Sequence, residues 1–136
     1  MRVTNDCFFL LQRLTLAGLL AAHGWTRWLH GGVPLFGGYL DATLGLPEGM
    51  GTWLAGAITA IEIIGTVLWA LGKYLLPLSL LLSSIYITGI VLVHAPAGWF
   101  VVGAGRNGCE YSVLLIVLLL THGLRAHAQQ RQLLVR

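Results

Sequence analysis

Long apolar runs, broken at few positions, set the pattern of this chain. The first covers residues 7–30 and is interrupted by Arg13 and Arg27. The second, residues 49–72, carries a single charge, Glu62. The third starts at Tyr74, and no Asp, Glu, Lys or Arg recurs before Arg106, although Pro96 and Gly98 predict an end to the helix near His94. The fourth, from Gly108 to Leu124, opens with Glu110. A helix needs about 20 apolar residues to cross a bilayer core. The pattern therefore predicts an all-α integral membrane protein, a four-helix transmembrane bundle with helices near residues 7–30, 52–71, 75–94 and 109–127. These are expected to form one domain over residues 1–136.

The connections differ. Residues 31–50 form a long Gly-rich segment with Pro34, Pro47, Asp41 and Glu48, and a short re-entrant or interfacial piece is expected at residues 33–44. Gly72-Lys73 makes a tight turn, and residues 95–107 form a third loop with Trp99-Phe100. The first run also has features of a signal peptide, with Arg2 ahead of it and Ala21-Ala22 near a cleavage position. Arg13 interrupts that apolar region and favours a retained helix.

Composition agrees. Apolar residues make up 57% of the 136 and charged residues 10%, with a mean hydropathy of +0.80. Soluble domains average about 25% charged residues, and disordered chains are poor in apolar ones. The net charge of +3 rests on eight scattered Lys and Arg. Nucleic-acid binders cluster such residues, so no nucleic-acid partner is expected. The basic residues instead report topology. With the N-terminus inside, Arg2, Arg13, Lys73, Arg125, Arg131 and Arg136 lie on the cytoplasmic side, against Arg27 and Arg106 outside. Both termini are expected in the cytoplasm, with the two long loops outside. Cys7 and Cys109 then lie on opposite sides of the membrane and make no CxxC motif.

Ionisable groups within a bilayer are costly, so each needs a reason. At 100° per residue, Arg27 lies about 40° and His23 about 80° from Arg13. The three are expected on one inward face. Gly56, Thr59, Glu62 and Thr66 share a face of the second helix, and Ser79, Ser83, Tyr86 and His94 form a stripe on the third. Glu62 and His23 fall within roughly 5 Å in depth, so Glu62 is expected to pair with His23 or Arg27. His94 and Glu110 sit at the outer ends of their helices. The candidate polar cluster is His23, Arg27, Glu62, His94 and Glu110, opening outward. Structural readings stand beside it. A buried ion pair can simply fix register, Arg13 suits an interfacial anchor, and Glu110 suits a helix start. His122 and His127 suit the cytoplasmic helix end. Trp25, Trp28, Trp53 and Trp99 suit an outer aromatic belt. No local ligand motif points to a metal site.

These residues resemble the DoxX family of small four-helix bacterial membrane proteins. The likeness is carried by Arg13, His23-Gly24 and Arg27, then Glu62, then His94-Ala95-Pro96-Ala97-Gly98-Trp99-Phe100, and then Asn107-Gly108-Cys109-Glu110-Tyr111. Arg27 stands where the family often has Lys, and Arg106 is an additional basic residue. The resemblance implies a link to membrane redox systems, since related DoxD proteins form the membrane part of a thiosulfate:quinone oxidoreductase. It implies a subunit of an electron-transfer complex in the bacterial inner membrane, with no cofactor certain and quinone or bound lipid as the candidates. A purely structural or assembly subunit, bound to other membrane subunits or to copies of itself, is the second expectation. A small-molecule binder or transporter is the third, although four helices are few for a transporter.

Overall fold

A computed structural model describes residues 2–103 and 106–134. The described residues are helical or irregular, with no strand among them. Four helices are long and apolar enough to cross a membrane: Asp6–Leu29, Met50–Ala70, Leu75–Ala97 and Glu110–Leu134. The chain divides into two compact units, Met1–Leu71 and Gly72–Arg136.

The first unit opens with α1, Arg2–Leu29. Gly31 adopts φ 64 and turns the chain directly into α2, Gly32–Leu44. A left-handed residue at a helix junction favours glycine, which has no Cβ to clash. Pro34 falls in the first turn of α2, where its missing N–H has no intrahelical partner to lose. The short helical piece expected within the Gly-rich segment is thus a 13-residue helix. It ends at Gly45, also left-handed.

The second spanning helix runs as α3, Met50–Ala60, then a π-helical turn, Ile61–Gly65, then α4, Thr66–Ala70. Its buried positions, Ala55, Thr59, Glu62, Thr66 and Trp69, repeat at helical spacing. Gly56, expected on that stripe, stands beside it with open space around its Cα. Gly24 of α1 lies against the π turn. A Cβ there would fall 2.9 Å from both Glu62 Cβ and Ile63 Cγ1. The two helices therefore meet nearly backbone to backbone, as small residues allow in membranes.

The buried face of α1 is Leu16, Ala17, Leu20 and Gly24. Arg13 and Arg27 are half-buried on its flanks, whereas His23 is exposed. The single inward face expected for Arg13, His23 and Arg27 therefore holds for the two arginines only. At 100° per residue His23 lies about 60° from the centre of the stripe formed by residues 16, 20 and 24, against about 20° for either arginine, and that larger offset carries it out of the contact.

The second unit begins at Gly72. Tyr74, with φ 54, leads into α5, Leu75–Gly89. A second π-helical turn, Ile90–His94, and a short 3-10 turn, Ala95–Ala97, complete that span. A loop then leads to α6, Glu110–Leu134. Helices α5 and α6 pack on each other through buried Ser79, Leu82, Ser83 and Tyr86 on one and Ser112, Leu115, Leu119, His122 and Gly123 on the other. Gly123 admits Ser79 closely, since an added Cβ would lie 2.8 Å from Ser79 Cβ. Helix α6 continues beyond the expected end near residue 127. Its 25 residues span about 37 Å, longer than the hydrocarbon core of about 30 Å. The polar last turns, with Arg125 and Arg131, therefore extend past the apolar part.

Candidate functional site

The buried ion pair of the first unit is the most ordered polar arrangement among the candidate residues. Arg27 comes from the last turn of α1, where a cation suits the helix dipole. Glu62 comes from the π turn. A π turn interrupts regular backbone pairing and is often found at functional sites. The hydroxyl of Thr66, one turn on, donates to the Glu62 carbonyl oxygen and so occupies an acceptor there.

Arg27 Nη1 donates to Glu62 Oε2 at 2.6 Å and to Thr59 Oγ1 at 3.0 Å. Thr59 can accept because its own hydroxyl hydrogen goes to the Ala55 carbonyl at 2.7 Å. The guanidinium carbon lies 4.6 Å from the centre of the Phe36 ring, in cation–π contact. Glu62 is 3% exposed and Arg27 18% exposed. The carboxylate is therefore enclosed and the guanidinium reaches the surface. Both bonds of Arg27 leave from one nitrogen. A strong cationic donor and a carboxylate thus lie side by side, with only the donor reaching the surface.

Of the partners the sequence allowed for Glu62, Arg27 makes the bond. His23 Nδ1 instead lies 3.0 Å from the Leu19 carbonyl of its own helix. Two contributors escaped the sequence reading. Phe36 reaches Arg27 only because the Gly31 turn folds α2 back beside α1. Asp41 accepts from the backbone N–H of Gly49 at 3.0 Å and of Gly51 at 2.5 Å, capping α3 from the preceding helix. A cap supplied from eight and ten residues upstream leaves no local capping signature to read.

His94 and Glu110 act within the second unit, and both hold its loop. His94 Nδ1 is 2.8 Å from the carbonyl oxygen of Asn107, and Glu110 Oε1 accepts from the Val101 N–H at 2.9 Å. Among the described residues, no group of three or more His, Cys, Asp or Glu is placed to hold a metal ion.

The sequence matches the DoxX family model over residues 8–95, well over half of the chain, and the protein belongs to the DoxX family. It is an integral membrane protein whose spanning helices contact the lipid bilayer. The matched region contains Arg27, Glu62 and His94 and stops short of Glu110. No curated protein and no solved structure matches the chain.

Proposed function

We propose that this protein is an accessory membrane subunit of an electron-transfer complex in the bacterial inner membrane. The observation that supports it is the Arg27–Glu62 pair, which joins α1 to the π turn of the second span with the carboxylate buried and the guanidinium reaching the surface. A quinone or similar carbonyl-bearing molecule needs an apolar slot, a donor for its carbonyl and a group that exchanges a proton. Arg27 supplies the donor and Glu62 the exchanging group. His23, on the same helix as Arg27, is a further ionisable residue in this reading. The Glu62→Gln variant is expected to insert and assemble, yet to slow turnover of the purified native complex. Turnover is normalised to the amount of this subunit, and quinone is assayed in the same preparation. Unchanged turnover would remove the redox reading.

A scaffolding role is the second reading. It is favoured by the way the same pair ties α1 to α3 through Thr59. A subunit of this kind keeps turnover unaltered in Glu62→Gln, while changes on the lipid-facing Leu and Val of the third or fourth span release it from its partner.

The reading also includes both termini in the cytoplasm, from the six-to-two distribution of basic residues. Cys7 is exposed and Cys109 half-buried. An impermeant thiol reagent added to spheroplasts is expected to label Cys109 and spare Cys7. Labelling of Cys7 alone would reverse the orientation.

A further inference from the structure

We infer that residues 99–102 form a preshaped apolar tip that sits in the interfacial zone of the phospholipid bilayer, with His94 and Glu110 as its positioning residues. Trp99, Phe100, Val101 and Val102 are consecutive, and they are 53%, 49%, 36% and 79% exposed. Four adjacent apolar side chains in water would be unfavourable. Yet the backbone that carries them is firmly tied. The N–H groups of Gly108, Cys109 and Glu110 donate to the carbonyls of Phe100, Gly98 and Trp99, each at 3.1 Å. Gly98, at φ 100, turns the chain out of the span, and Asn107, at φ 60, turns it back. Gly108 lies so close to the Trp99 and Phe100 backbone that a Cβ would not fit.

Two side chains complete the base. The Asn107 carbonyl can only accept, so His94 Nδ1 carries the hydrogen between them. Glu110 Oε1 receives the Val101 N–H from within the tip itself. Residues 98–101 are thus tied to residues 107–110, and the apolar side chains of the tip are left exposed.

The occupant follows from position. Trp99 is two residues beyond Ala97, the end of a 23-residue apolar span. Two residues reach about 7 Å at most, so the ring cannot leave the membrane surface. Trp and Phe are the side chains that favour the headgroup level. Arg106, exposed in the same loop, offers a positive charge to lipid phosphates. Phospholipid is accordingly the surface this tip fits, and the inference is independent of the redox reading.

A nitroxide label at Val102→Cys, with Cys7→Ser and Cys109→Ser, tests it in vesicles of phosphatidylethanolamine and phosphatidylglycerol. Relaxation of the label by oxygen is expected to exceed relaxation by a water-soluble nickel chelate. Preference for the nickel chelate would place the tip in water and overturn the inference. Shielding from both reagents would mean that protein, such as a second copy, covers it, which overturns it equally. Glu110→Ala is expected to abolish the oxygen preference, and Glu110→Gln, which retains an acceptor oxygen, to preserve it. If Glu110→Ala does not fold, His94→Ala gives the same comparison. A label unmoved in the folded alanine variant would refute the positioning role.

Discussion

Arg27→Ala is expected to destabilise the first unit more than any other single change at the ion pair, by about 3–5 kcal/mol. Arg27 provides the salt bridge to Glu62, the hydrogen bond to Thr59 and the contact with Phe36 at once. Its loss leaves a carboxyl that is only 3% exposed without its counter-charge. Most of the cost comes from that stranded carboxyl rather than from the attraction lost. The double variant Arg27→Met, Glu62→Leu removes both charges and keeps apolar volume, so it is expected to recover most of the stability. Thr59→Val removes one neutral hydrogen bond and should cost only about 1 kcal/mol. Reversible unfolding in mixed micelles with increasing sodium dodecyl sulfate checks the series. A single variant as stable as the native protein would show that the pair contributes nothing. The double variant also separates the two functional readings, because a scaffold repacked with apolar side chains still scaffolds, whereas a proton-exchanging site without its carboxylate does not.

The four spans were legible because each is a long apolar run, and chain length against bilayer thickness leaves few alternatives. Glu62 was legible as an inward residue because one charge in such a run must find a partner. The choice between His23 and Arg27 was not. It depends on where the contact stripe of α1 is centred, and Gly24, not a polar residue, fixes that centre by admitting the π turn. The two π turns were also hidden, since Ile61–Gly65 and Ile90–His94 read in sequence as ordinary apolar helix. Asp41 looked like a loop acid. Its role emerges only once α2 and α3 lie side by side, bringing Gly49 and Gly51 to its oxygens. His94 and Glu110 were rightly placed at helix ends. What they hold, the backbone of the intervening loop, depends on turns at Gly98 and Asn107 that hydrophobic periodicity does not encode.

Gly51→Val is expected to separate α2 from α3, and with them the cover over the ion pair. The backbones of these helices meet at two glycines. A Cβ on Gly51 would run into the carbonyl oxygen of Gly37 and come within 2.7 Å of Asp41 Oδ1. A Cβ on Gly37 would in turn strike the backbone of Thr52. Neither obstacle is the end of a flexible side chain, so the helices themselves must move. Overpacking of this kind costs about 1–3 kcal/mol. Displacing Asp41 from the first turn of α3 adds the loss of a cap, about 0.5–2 kcal/mol. Gly56→Ala is the control. It lies in the same helix with nothing within 4 Å of its added Cβ, and replacing a helical glycine there should be neutral or stabilising by up to about 1 kcal/mol. Unfolding of the two variants in the same micelles measures the contrast, and hydrogen exchange locates it. In Gly51→Val the amides of α2 should exchange faster than in the native protein, while those of α1 before residue 20 stay protected. Because α2 carries Phe36, the same variant should also uncover the guanidinium of Arg27. Equal stability of Gly51→Val and Gly56→Ala would show that α2 and α3 do not pack through their glycines, and that α2 does not hold Phe36 in place.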